Sequence, residues 1–281
     1  DLTGYGPDPN ECLDRLREFP LTTLAGNHDW AVLGKLDLDE FNRDARAACL
    51  WTRQRLTAAN RDFLESLPVF TEEAGYSLVH ASPSEPVEEY VLDSLTAEYN
   101  FSRFDTPVCL LGHSHWPIAF MQPEGSTGLC AQIRAPYFQP FKFYGGKWII
   151  NPGSVGQPRD GNPDASYAIL DVEEGRWEYR RVAYPVGETQ RRMKQYRLPA
   201  RLIERLVDRH GTGRVMFRNR RAGVGGFPAR QPELVLLPMP ERAAFPEQLH
   251  EEFLGDAANP PFAPPLSYAE DPRLEWLPAL L

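Results

Sequence analysis

No apolar run in this 281-residue chain approaches the ~20 residues that a membrane-spanning helix needs. That absence argues against a helical membrane protein. Nothing in the first residues resembles a secretory signal. Cysteine is scarce: Cys12, Cys49, Cys109 and Cys130 show no CxxC spacing, and Cys109 lies within an apolar stretch. They read as reduced, mostly buried thiols of a cytoplasmic protein. Asn100-Phe101-Ser102 fits a glycosylation sequon, which carries little weight without a secretory signal. An excess of positive charge is also missing. The net charge of −9 argues against general affinity for nucleic acid or a membrane surface. No internal repeat is visible.

What is present is ordinary for a globular protein: 42% hydrophobic and 25% charged residues. The length suits one large domain, or one domain with an appendage. After Pro9, apolar or Cys positions at 12, 13, 16 and 19 have helical spacing, with Pro9 or Asn10 as the start. Residues 36–70 read as two helices, with Asp39 and Thr57 as N-caps and Pro68 as a stop. Strands are expected at 76–80, 108–111, 128–134 and 147–151. The alternation in 166–184 around Glu174-Gly175 signals a hairpin, with a helix near 188–195 after it. These elements predict a mixed α/β layered fold. Beyond Leu198 the character changes. A helix fits 199–210, and residues 209–230 carry six arginines and no acid. PELVLLPMP (232–240) could form a short strand, and the end is proline-dense and irregular.

Four strand-like segments run straight into short polar turns: LTTLAGNHD (21–29), YSLVHAS (76–82), VCLLGHSHWP (108–117) and WIINPGSVGQPRDG (148–161). Four of the six histidines sit there: His28, His80, His113 and His115. Loops at the carboxyl ends of strands meet in space, so residues distant in sequence can converge. Imidazole nitrogens with Asn and Asp oxygens suit a transition-metal site. Each motif has a plainer interpretation. GNHD could be a capped turn, with Asp29 orienting the His28 imidazole in the functional case. His80 alone could be a satisfied core histidine, and Asn151-Pro152-Gly153-Ser154 alone a tight turn. Two histidines at i and i+2 in GHSH are harder to explain structurally, because a core has little use for adjacent polar rings.

In this order and spacing, GNHD, the strand-end His80, GHSH and NPGSVG resemble the calcineurin-like metallophosphoesterase family. DLTGYGPDPNEC with NPGSVGQPR is similar to its small prokaryotic phosphodiesterase-like branch, related to the diadenosine tetraphosphatases. The resemblance spans residues 1 to about 185. It implies a four-layer α-β-β-α sandwich, two β-sheets packed together with helices outside, and a binuclear metal centre at the sheet edge. It makes Asp1 the bridging carboxylate, gives Asn27, His80 and His113 to one metal, and gives His115 to the other. His28 becomes the non-ligand histidine that stabilises or protonates the leaving oxygen, with Asp29 as its partner. Arg159 and Asn151 are the candidate substrate contacts, although a solvated arginine and a simple turn fit the same residues. The implied cofactors are two divalent ions, manganese foremost and Fe, Zn, Ni or Mg as alternatives, which would share a bridging hydroxide.

The family's first motif, Asp-x-His after an N-terminal strand, has no counterpart, since residue 1 already corresponds to the second motif. The expectation is a metallophosphoesterase domain over 1–198 lacking its first strand and helix. With them would go two ligands of the metal bound by His115, and this would impair activity. Residues 199–281 would then be a helix plus an Arg/Pro-rich extension without an assigned role. The leading expectation is a divalent-metal-dependent phosphoesterase acting on a small phosphodiester or nucleotide-type substrate. The alternative is a non-catalytic metal- or phosphate-binding module. A nucleic-acid role for the Arg-rich segment is weakened by the chain's acidity and the lack of interleaved aromatics. Nothing in the sequence addresses oligomeric state.

Overall fold

The computed structural model describes residues 1–126, 128, 130–133 and 136–207. The arginine cluster of 209–230, the strand expected in 232–240 and the proline-dense end lie outside the described residues. The chain enters through a loop into helix α1 (Pro9–Leu16), where Pro9 takes a first-turn position that needs no amide donor. Helix α2 (Asn27–Leu33) follows, then a short 3-10 turn at Leu38–Glu40, α3 (Arg43–Arg55) and α4 (Ala58–Ser66). The N-cap Thr57 accepts the Asn60 amide, as its position predicts. Asp39 does not cap α3. It lies in the 3-10 turn, and the Asn42 side chain accepts the Ala45 amide at 3.0 Å instead.

Six strands form the main sheet. β1 (Phe70–Glu73) and β2 (Tyr76–Val79) make a hairpin through Ala74 and Gly75, both at positive φ as a two-residue turn of this type requires. After α5 (Ser94–Phe101) come β3 (Val108–Leu110), β4 (Pro117–Pro123), β5 (Ala131–Ile133), the two-residue β6 (Phe141–Lys142) and β7 (Gly146–Pro152). The sheet order is β1-β2-β3-β7-β4-β5, with β2, β3 and β7 mutually parallel. Their carboxyl ends therefore share one edge, and His80, Gly112 and Asn151 emerge there. The predicted hairpin is β8 (Ala165–Asp171) with β9 (Arg176–Val182), and β6 completes a three-stranded sheet in the order β6-β9-β8. Two helices follow, α6 (Val186–Gln195) and α7 (Ala200–Arg205).

Alternation along the central strands sends their side chains to two cores. Val79, Cys109, Phe120 and Ile149 pack on one face with Ala97 and Phe101 of α5. On the other face Tyr76, Val108, Met121, Trp148 and Ile150 meet Trp177 and Tyr179 of the smaller sheet. The sheets thus pack face to face around two tryptophans, Trp148 and Trp177, that are almost completely buried. Burial of aromatic area on this scale dominates such a core. Helix α7, which lies beyond residue 198, packs Leu202 and Ile203 against Met193 of α6 and Ala48 of α3.

Three elements depart from expectation. Residues 21–25 are extended but belong to no strand; Ala25 makes one backbone bond to Pro68 O at 2.9 Å. A strand exists only through a neighbour's hydrogen bonds, and among the described residues none pairs with this segment. GNHD is the first turn of α2 rather than a free turn. The segment after GHSH continues as β4, paired with β7 over seven positions.

Candidate metal centre

The loops named by the sequence converge at one edge of the main sheet. His80 follows β2 directly, and its Nε2 lies 3.1 Å from His113 Nδ1, 3.3 Å from Asn27 Oδ1 and 3.5 Å from Asp1 Oδ2. Tetrahedral ligands on bonds of about 2.1 Å sit about 3.4 Å apart, so this spacing is that of one coordination shell. Asp1, His80 and His113 are the acid–histidine group whose ligand atoms lie close enough to hold an ion, and Asn27 adds a neutral oxygen. Two imidazoles, a carboxylate and an amide oxygen fit a divalent transition metal.

The two histidines of GHSH are held from behind. His113 Nε2–H donates to Glu88 O at 3.1 Å, leaving Nδ1 with its lone pair toward His80. His115 Nδ1–H donates to Gln157 O at 2.8 Å, which leaves Nε2 free. His115 stands outside the Asp1–His80–His113 group. His113 and His115 both have positive φ, 58° and 59°, a conformation that side-chain-bearing residues rarely adopt. Strain of this kind, on the order of 1–3 kcal/mol per residue, concentrates at functional sites. Between them Ser114 is buried and accepts from Asn151 Nδ2 at 2.9 Å.

Glycine 26 permits the close approach. A Cβ there would overlap Asp1 Oδ1 and come within 2.7 Å of the His80 ring. The His28 amide donates to Asp1 Oδ1 at 2.8 Å, fixing the carboxylate against the start of α2. His28 itself is buried among Tyr5 (ring centroids 4.3 Å apart), Phe41 and Cys49, whose Sγ lies 3.3 Å from Nδ1. Burial pushes the Cys49 thiol up to about 12, so it stays protonated and can donate to Nδ1. The four site histidines are all held neutral. Burial is the main cause, with Arg159 next for His28, His113 and His115. For His80, too, burial is the main cause. His113 is pushed down to about 3.

Two expected roles do not match the geometry. Asp29 does not face the His28 imidazole. Its oxygens accept from the amides of Leu2 and Thr3, the Thr3 hydroxyl at 2.8 Å and the Gly26 amide. As the third residue of α2 it points back to unsatisfied amides at the helix start, as a capping carboxylate does. Asn151 is not open to substrate either. It is fully buried, its NH2 donates to Gly112 O and Ser114 Oγ, and its Oδ1 accepts the Gly153 amide. It binds the GHSH loop to the NPGS turn. Arg159 does lie at the site, since its amide donates to His115 O at 3.3 Å. Cys49 and Tyr5, which pack on His28, carried no sequence signal, because ring packing across three separate segments has no local pattern.

Residues 4–175 match the family model of the calcineurin-like phosphoesterase superfamily domain. The chain is 38% identical over 212 residues to the uncharacterized protein MJ0912 of Methanocaldococcus jannaschii, covering 73% of this chain and 83% of that protein. The crystal structure of a metallophosphoesterase from Sphaerobacter thermophilus is 42% identical and superposes with a TM-score of 0.66, covering 74% of this chain and 85% of that one. The hypothetical protein PH1004 from Pyrococcus horikoshii OT3 is 19% identical with a TM-score of 0.60, covering 74% and 82%; it shares the fold.

Proposed function

The chain belongs to the calcineurin-like phosphoesterase superfamily, and from that premise we propose that it hydrolyses small phosphodiester or nucleotide-type substrates with a pair of divalent ions, manganese foremost. The observation that carries this is the convergence of Asp1 Oδ2, Asn27 Oδ1 and His113 Nδ1 on His80 Nε2 within 3.5 Å. These four residues would hold one ion. Asp1 and the free Nε2 of His115 would serve a second. When bound, such a pair supplies an acidified water and positive charge opposite the phosphoryl oxygens.

The remaining roles follow from the chain's own groups. Cys49 donating to Nδ1 leaves the His28 proton on Nε2, and we assign that N–H to the charge developing on the leaving oxygen. Arg159, whose guanidinium fork matches phosphate oxygens, contacts phosphate oxygens of the substrate. Asp29 keeps Asp1 in place through the Leu2 and Thr3 amides. Among the described residues no helix is long and apolar enough to cross a membrane. No disulfide joins the four cysteines, which suits the reducing cytoplasm.

The test is release of nitrophenol from bis(p-nitrophenyl) phosphate by the purified protein with Mn²⁺. Turnover that stops with chelator and returns with metal is expected. Metal uptake without turnover on any phosphoester would instead favour a binding module.

A further inference from the structure

Two guanidiniums from distant parts of the chain stand together beside the metal centre. Arg159 follows the NPGSVG turn, and Arg205 ends α7. Both donate to one oxygen, Gln157 Oε1, at 3.2 Å from Arg159 Nη2 and 3.4 Å from Arg205 Nη1. Gln157 is buried and fixed: its amide donates to Ser154 Oγ and its carbonyl accepts from His115 Nδ1. Like charges on a shared neutral acceptor repel, and an arrangement of this kind calls for an anion.

The described residues supply none. Among the described residues neither guanidinium has a carboxylate at ion-pair distance, and Arg159 Nε is buried without any hydrogen-bond partner. Arg205 loses some of its hold on its proton, through burial first and Arg159 second, with Tyr5 and then Asp44 opposing. Tyr5 joins the pair to the catalytic side. Its ring packs on His28, and its hydroxyl feels both arginines. Paired planar forks match the several oxygens of a phosphate better than a single ammonium would.

We propose that Arg159 and Arg205 form a second anion subsite next to the metal centre, so that the preferred substrate carries another phosphate beside the one cleaved. The cleavage part rests on the phosphoesterase assignment; the anion binding does not. Two measurements on the full chain separate them. The first titrates metal-free protein, in EDTA, with inorganic pyrophosphate. Wild type should bind, and Arg205→Gln should weaken binding about tenfold, the scale of one lost charge-assisted hydrogen bond. Gln157→Glu, which places a carboxylate between the two forks, should do the same while keeping side-chain size. Absence of binding by wild type, or affinity unchanged from wild type in both variants, overturns the subsite.

The second measurement compares the p-nitrophenyl ester of thymidine 3′-phosphate with the same ester bearing a 5′-phosphate. Wild type should prefer the doubly phosphorylated ester about tenfold in kcat/KM, Arg205→Gln should bring the ratio to about one, and Arg205→Lys should keep part of it. A ratio near one in wild type, or an unchanged ratio in the glutamine variant, rejects the inference while leaving the hydrolase intact. Arg205-dependent pyrophosphate binding without hydrolysis of either ester would instead sink the phosphoesterase assignment and leave the subsite standing.

Discussion

Replacing Asp29 with asparagine asks whether this carboxylate serves His28 or the Asp1 loop. Four donors converge on it, from Leu2, Thr3 (amide and hydroxyl) and Gly26, at 2.8–3.0 Å for the closest contact of each. The residue is completely buried. Hydrogen bonds to a charged acceptor contribute roughly 1.5–3 kcal/mol each, and asparagine keeps one acceptor oxygen but turns an NH2 toward amides that cannot accept it. Loss of about half the set gives a destabilisation of about 3 kcal/mol, or a Tm lower by roughly 6–12 °C for a domain of this size. The freed Leu2 and Thr3 amides would let Asp1 drift, so manganese affinity should fall about 10–100-fold, the usual effect of losing a group that orients a ligand. Calorimetry and a manganese titration read both effects. A variant with unaltered Tm and metal affinity, but low kcat, would show that Asp29 acts through His28 and that its role here is misassigned.

Other perturbations separate the remaining roles. His28→Ala should lower kcat about 10²-fold or more with metal content near normal, because it acts on the leaving oxygen; loss of metal would contradict this. Gly26→Ala should abolish tight metal binding, since the new Cβ displaces Asp1 and the His80 ring, and an intact binding curve would refute the close packing. For acid stability, the sign follows from imidazoles whose folded pKa values lie below 6.5. The unfolded chain takes up protons that the folded chain refuses. Stability is therefore full above about pH 6.5 and is lost as pH falls toward 3, by about 1.4 kcal/mol per pH unit for each histidine involved. Urea midpoints of the metal-free protein should drop between pH 7 and pH 5; a flat profile would contradict burial of neutral rings.

Much of this was legible in the sequence because strand ends are where apolar runs stop. Val79-His80 and Leu110 before Gly112-His113 mark the edge of the sheet without any structure. The hairpin at Glu174-Gly175 was readable for the same reason: alternation plus turn chemistry is local. Contacts across the fold were not readable. Asp29 is adjacent to His28 in sequence, yet a helix turns neighbouring side chains about 100° apart, so it faces the Leu2–Thr3 loop. Asn151 looked like a turn residue or a substrate contact. Only the parallel pairing of β3 with β7 brings it under Ser114. The positive φ values of His113 and His115 have no glycine to announce them. Arg205 lies beyond the sequence resemblance, on a helix whose docking to α3 and α6 depends on packing alone.

The central claim is that Asp1, Asn27, His80 and His113 form a metal shell. Anomalous diffraction from manganese-soaked crystals tests it most directly. The account predicts a peak within about 2.0–2.3 Å of Asp1 Oδ2, Asn27 Oδ1, His80 Nε2 and His113 Nδ1, with a second peak between Asp1 and His115. A peak elsewhere, or one that excludes His80 or His113, would contradict it.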